Sequence, residues 1–317
     1  MFNQILVGVD EREGGRDAIA LANQLVAADG QITLVFVETS EPEVYRGVRV
    51  MYEASERECM LDRLRKAREQ AHIDAGVTYV EARSVGRGLH DVAERAVADL
   101  LVLGSCRRSL IGRVLIRDDA RAALNGAPCA VAIAPAGYAA DPQTMREIGV
   151  GYDGSPESEH ALAFARKLAA EVGAKLSAFE AVSLPRSVFI DVPTDVTIEE
   201  LVRDAHQRVA ALSDVEPHAA YGHPAEELAM YSASLDLLIV GSRSYGPIGR
   251  LVHGSTSQQL AHTARCPLLV LTRAARATGG EHELQVQRKS DLPAATVADV
   301  GLSASGMSTP NRPSTRR

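Results

Sequence analysis

No two cysteines in this 317-residue chain stand in a C-x-x-C spacing. The four present, Cys59, Cys106, Cys129 and Cys266, are scattered, so neither a disulfide scaffold nor a thiolate zinc site is indicated, and a reducing compartment is expected. Excess positive charge is missing as well. A formal net charge of -7 leaves no broad basic surface to neutralise phosphates along a strand, which argues against sequence-independent nucleic-acid binding. Long apolar runs are absent near the N-terminus: Phe2 to Val9 meets Asp10 and a charged segment, too short for a signal peptide or a membrane span. A cytoplasmic protein without a membrane partner is the expectation. No lysine completes a G-x-x-x-x-G-K-[ST] loop, no G-x-S-x-G elbow occurs, and the histidines do not fall at metal-ligand spacing, so neither a catalytic residue nor a metal ligand is assigned.

What is present is ordinary globular material, 46% hydrophobic and 24% charged, in a chain long enough for two domains. It is also repeated. Ile5-Leu6-Val7-Gly8-Val9-Asp10 returns as Ile148-Gly149-Val150-Gly151-Tyr152-Asp153, and Ile32 to Val37 returns as Leu176 to Val182. Asp99-Leu100-Leu101-Val102-Leu103-Gly104-Ser105 returns as Asp236-Leu237-Leu238-Ile239-Val240-Gly241-Ser242, and Ala127-Pro128-Cys129-Ala130-Val131 as Cys266-Pro267-Leu268-Leu269-Val270. The offset stays near about 140 residues, the mark of two tandem copies with small loop insertions.

Within each copy, apolar strand runs alternate with helical stripes. The helices are expected over Arg16 to Ala28, Glu53 to Ala75 and after Asp91 in the first copy, and after Ser155-Pro156, over Ile198 to Ser213 and after Pro224 in the second. Ser155 suits an N-cap, Pro156 the first helical position and Gly173 the stop. Alternation of this kind is the order of a doubly wound parallel sheet, giving an α/β protein of two tandem Rossmann-like domains, each with a five-stranded parallel sheet. The boundaries expected are 1–138, 145–274 and a disordered tail at 275–317, where Ser, Thr, Pro, Gly and Arg dominate.

The most informative stretch is Asp236 to Gly246 followed by Gly254-Ser255-Thr256. A buried strand runs into a Gly/Ser-rich loop and then into a helix start, where Ser255 and Gln258 have capping-box spacing. That geometry turns main-chain N–H groups toward an anion.

Together these residues resemble tandem members of the universal stress protein family, of adenine nucleotide alpha hydrolase-like fold. The family's phosphate loop is Gly, two residues, Gly, nine residues, Gly, then Ser or Thr. Here Gly241-Ser242-Arg243-Ser244, nine residues, then Gly254-Ser255 matches at three fixed positions and carries serine at the fourth. The resemblance implies ATP, with or without Mg2+, held in the second copy by Gly151, Asp153, Ala181, Gly241, Ser242, Arg243, Ser244, Gly246, Gly254, Ser255 and Thr256. Asp153 is where the family's acid contacts adenosine, and Ala181 is where main-chain groups read adenine. The first copy departs: Arg107 and Arg117-Asp118 occupy the loop's fixed positions, and a carboxylate there opposes phosphate. One working and one degenerate site are expected.

The function implied is an ATP-binding stress-response regulator acting through an unidentified protein partner, with slow hydrolysis at most. A nucleotide-independent interaction scaffold of the same fold is the alternative, and Ser244 is the position that separates them. Single-domain relatives pair through their last strand, which implies that Val131 to Ala134 meets Leu268 to Thr272 as a pseudo-dimer within one chain, open to further homodimerisation.

Overall fold

The computed structural model describes residues 1–10, 14–39, 46–105, 122–142, 144–183, 197–242 and 255–271, with side chains for all of these except 14, 46–55 and 255. The first half contains β1 (Phe2–Gly8), α1 (Gly14–Leu25), β2 (Val26–Thr39), α2 (Arg46–Ala71), β3 (Ala75–Ala82), α3 (Val85–Ala96), β4 (Leu100–Gly104) and β5 (Ala130–Ala134). After a 3-10 turn (Tyr138–Ala140) come β6 (Glu147–Gly151), α4 (Pro156–Val172), β7 (Lys175–Val182), α5 (Ile198–Ala210), β8 (Glu216–Tyr221), α6 (Pro224–Tyr231), β9 (Leu237–Gly241), α7 (Ser255–Thr263) and β10 (Leu268–Leu271). They build one compact unit, Met1–Gly279. The region read from sequence as a tail lies outside the described residues.

Each half contributes five parallel strands, and the two sets join into one sheet of order β3-β2-β1-β4-β5-β10-β9-β6-β7-β8. The join is antiparallel, with Leu268 opposite Ile133, Leu269 opposite Ala132 and Val270 opposite Val131, all fully buried. Each last strand thus covers the other's edge, which would otherwise present a row of unpaired amides.

Side-chain alternation explains the layers. Ile5, Val7, Leu100, Val102, Ile148, Val150 and Ile239 face α1 and α4, while Leu6, Leu101, Leu103, Leu238 and Val240 face α3, α6 and α7. α4 forms as its sequence dictates: the Ser155 hydroxyl accepts the Ser158 N–H, Pro156 fills the first turn, and Gly173 ends the helix at φ 71°. α5 carries the reciprocal Thr197/Glu200 capping box. The repeated aspartates have one job in both halves. Asp99 accepts the N–H groups of Asn3 and Gln4, and Asp236 those of Arg146 and Glu147, so each pins the entry of the first strand beside the fourth.

Four boundaries differ from expectation. α1 stops at Leu25 because Val26 pairs with Phe2, so the segment through Gly30 is sheet, not helix. α2 ends at Ala71, freeing Ala75 to pair with Ile32. α3 starts at Val85, ahead of Asp91, because Ser84 caps it. α5 stops at Ala210, short of Ser213.

The connector between the halves is anchored at both ends, where Tyr138 and Met145 are buried. Asp17 of α1, also buried, accepts the N–H groups of Gly137 and Ala139 at 2.9 and 2.8 Å. Asp17→Ala is expected to remove about 1 kcal/mol of stability, since it strands two partly covered donors that now meet a buried charge. Urea denaturation checks this, and Asp17→Asn, which keeps one acceptor, should lose less.

Candidate functional site

The chain leaves β6 for β7 and β8 on one side and returns to β9 on the other, so the sheet's order reverses between β6 and β9. At such a switch point the loops after the two strands diverge and leave a crevice at their carboxyl ends. A cavity of about 580 Å3 lies there.

Five separate segments line it. Gly151, Tyr152 and Asp153 follow β6; Phe179 to Ser183 close β7; Val240 and Gly241 end β9; Thr256 and Ser257 open α7. Leu228 of α6 and Ser155 and Ser158 at the tip of α4 complete the wall. Two helix N-termini, those of α4 and α7, therefore reach the same space, each carrying a partial positive charge.

Gly241 sits where it does because α4 leaves no room. A Cβ built on it would lie 2.4 Å from the Glu157 carbonyl oxygen, a main-chain atom of the first helical turn. Gly151 is less tightly held, with Val240 and Leu228 methyls at 3.2 and 3.3 Å from an added Cβ. Asp153 is exposed, and its Oδ1 accepts the Ser155 N–H at 3.1 Å across Gly154, whose φ is 71°. It therefore braces the turn into α4 as well as lining the cavity.

Ser242 behaves differently from its neighbours. It is 1% exposed, its N–H donates to Leu271 at 2.9 Å, and its Oγ meets no partner among the described residues. Its main-chain donor is thus committed to the sheet and does not face the cavity. Ser105 in the first half repeats this arrangement, donating to Ala134. Arg243, Ser244, Gly246 and Gly254 lie outside the described residues, as do Arg107, Arg117 and Asp118; Ser255 opens α7.

Among the described lining residues the charges are carboxylates, Asp153 and Glu180. Glu180 is held by Arg208, whose Nε donates at 3.3 Å. Tyr152 donates its hydroxyl to Glu159; burial first, and then that hydrogen bond, pushes the phenol up to about 12. These partners are seven and 28 residues apart in the chain, and no local pattern in the sequence announces them. Phe179 and Leu228 were also missed, because alternation marks them only as core.

Elsewhere two thiols are buried and quiet. Cys129 is buried and its pKa is raised by that burial to about 12, and Cys266 is raised further by the same cause. Among the described residues no group of three or more His, Cys, Asp or Glu side chains could hold a metal, and no helix is long and apolar enough to cross a membrane.

The universal stress protein family model matches residues 1–135 and again 144–272. This chain belongs to that family. It carries two tandem family domains, and the duplication seen in the sheet is the family's repeat. Among its relatives, a universal stress protein of Mycolicibacterium smegmatis is 28% identical over 293 residues, covering 84% of this chain and 96% of that one. One from Mycobacterium tuberculosis is 27% identical over 290 residues, covering 84% and 95%. A third, from Mycobacterium bovis, is 31% identical over 182 residues, and there the match spans 55% of this chain and 61% of the relative. The crystal structure of a universal stress protein from Archaeoglobus fulgidus superposes with a TM-score of 0.62 at 19% identity, covering 86% of this chain and 98% of that one, a likeness of fold.

Proposed function

We propose that the second domain, residues 145–274, binds an adenine nucleotide and that the protein acts in the cytoplasm as an ATP-responsive stress regulator, not as a dedicated enzyme. The observation carrying this reading is the cavity where Asp153, Ala181, Gly241 and Thr256 meet from four segments. Its volume suits a small organic ligand. Its chemistry divides. Asp153 offers acceptors to ribose hydroxyls or an adenine amine beside the main chain of Ala181, and the tips of α4 and α7 offer partial positive charge to phosphates. Arg243, Ser244, Gly246, Gly254 and Ser255 are assigned to the phosphate end on the family's loop pattern, where Mg2+ would accompany ATP. Domain 1, residues 1–138, is read as the degenerate partner.

One observation favours the scaffold alternative: Ser242 has spent its amide in the sheet, and no cation is among the described lining residues. Two measurements separate the readings. Denatured protein run on an anion-exchange column should release adenine nucleotide, and ATP at a hundredfold excess over Kd should stabilise the native state by about 2.7 kcal/mol. Neither nucleotide in the released fraction nor a change in melting temperature at millimolar ATP is the result that selects the scaffold.

A further inference from the structure

We propose that the first domain carries a second binding site, for an organic anion with an extended apolar body such as an acyl carboxylate, in the groove between α1 and α2. It stands apart from the nucleotide reading. The second-domain cavity has Phe179, Leu228 and Val240 on the sheet face that carries α3, α6 and α7, with Tyr152 and Glu180 reaching it at the strand ends. The groove extends over the face where Val7, Leu34 and Ile19 pack and where Val9 and Phe36 are only partly covered.

Two adjoining cavities occupy it, of about 430 and 580 Å3, and they share Arg16, Ile19, Ala67 and Gln70. The first opens at the carboxyl ends of β1 and β2; the second continues along α1 and α2 to Ala139 and Pro142 of the connector. The groove is long because small residues, Ala20, Ala67 and Ala71, face each other across it.

The repeat shows why this space stays open in one half. Val7 pairs with Leu34 as Val150 pairs with Ala178, so Val9 and Phe36 occupy the places of Tyr152 and Glu180. In the second half those two side chains reach Glu159 and Arg208. Valine and phenylalanine can form neither bond, and they leave an apolar wall. Phe36 is held in place by Tyr79, stacked at 6.1 Å between ring centroids, with the Arg57 guanidinium over the far ring at 5.9 Å.

Charge selects the class of ligand. Arg16, Arg63 and Lys66 are exposed at the rim of the first cavity, against one lining carboxylate, Asp10; Lys66 also pairs with Asp62 at 2.7 Å. The N-terminal turn of α1, at Gly15, opens on the same mouth and adds its partial positive charge. A bare phosphate would leave the Phe36, Ile19 and Leu64 wall unused, and a neutral chain would gain nothing from Arg16 and the α1 terminus. An acyl carboxylate uses both, with its head at the rim and its chain along the alanines.

The test is calorimetric titration of the full chain with dodecanoate below its micellar concentration, beside dodecanol. One equivalent of dodecanoate is expected to bind, dodecanol at least tenfold more weakly. Ala67→Phe, which fills the stretch common to both cavities, should weaken dodecanoate at least a hundredfold without altering the response to ATP. Arg16→Gln, on the exposed rim, should weaken it about tenfold by loss of a charge-assisted contact, and it keeps the test decisive if Ala67→Phe does not fold. No binding by the wild type, uptake of many equivalents, or binding untouched by Arg16→Gln overturns the proposal, as does equal affinity for dodecanol.

Discussion

Replacing Gly241 by valine is expected to lower the melting temperature by roughly 6 to 12 °C, from a loss of about 3 kcal/mol at the usual slope for a protein of this size. The magnitude follows from what the new side chain meets. Its Cβ would stand 2.4 Å from the Glu157 carbonyl oxygen, 2.6 Å from the carbonyl carbon and 2.9 Å from the Glu157 Cβ. Two of those atoms are main chain, in a turn fixed by Pro156 and by the Ser155 cap, so no rotamer change relieves the contact. α4 must lift from the sheet, and the buried contacts of Leu162, Ala165 and Leu168 loosen with it. Gly154→Ala is the control. There an added Cβ meets nothing within 4 Å, and only the left-handed φ of 71° is strained, so about 1 kcal/mol should be lost. Thermal denaturation of both variants decides it, and a Gly241→Val protein melting within 2 °C of wild type, roughly 1 kcal/mol, would mean that helix and strand are not in such close contact.

The contrast between these glycines shows how far a sequence can be read. Strand runs such as Leu237 to Val240 are legible because burial on both faces admits only apolar residues, and the punctuation Ser155, Pro156 and Gly173 is legible because each cap is a local interaction. Repetition adds register, and with it the switch point. What Gly241 does is not legible, since punctuation at a strand end and clearance for a helix produce the same letter. Nor are the pairs Tyr152 with Glu159 and Glu180 with Arg208, which depend on the packing of α4 and α5 against the sheet. The connector shows the limit from the other side. Its Gly, Ala, Asp and Pro mark only a boundary between the copies, and Asp17, more than a hundred residues earlier, holds it as a hydrogen-bonded turn with Tyr138 buried. The nucleotide-loop pattern itself spans positions that mean different things in space, for Ser242 is sheet while Thr256 is cavity wall.

Ala181→Phe should abolish the response to ATP while leaving the unliganded protein nearly as stable as wild type. Ala181 lies near the end of β7, paired with Ala220, half-buried and facing the cavity with Asp153 and Thr256. A benzyl group there occupies open volume, so it meets side chains at the cavity wall and not the main chain of a capped helix. Phenylalanine also suits a strand position. Loss of nucleotide affinity by roughly a hundredfold, about 2.7 kcal/mol, is expected because the ring takes the space assigned to adenine. The measurement is the melting temperature of wild type, Ala181→Phe and Gly241→Val, each with and without millimolar ATP. If ATP raises the wild-type and Ala181→Phe melting temperatures equally, the nucleotide sits elsewhere and the switch-point cavity is not its site. A response in wild type alone, with Ala181→Phe stable and silent and Gly241→Val unstable, separates the volume a ligand needs from the clearance the fold needs at the same end of the sheet.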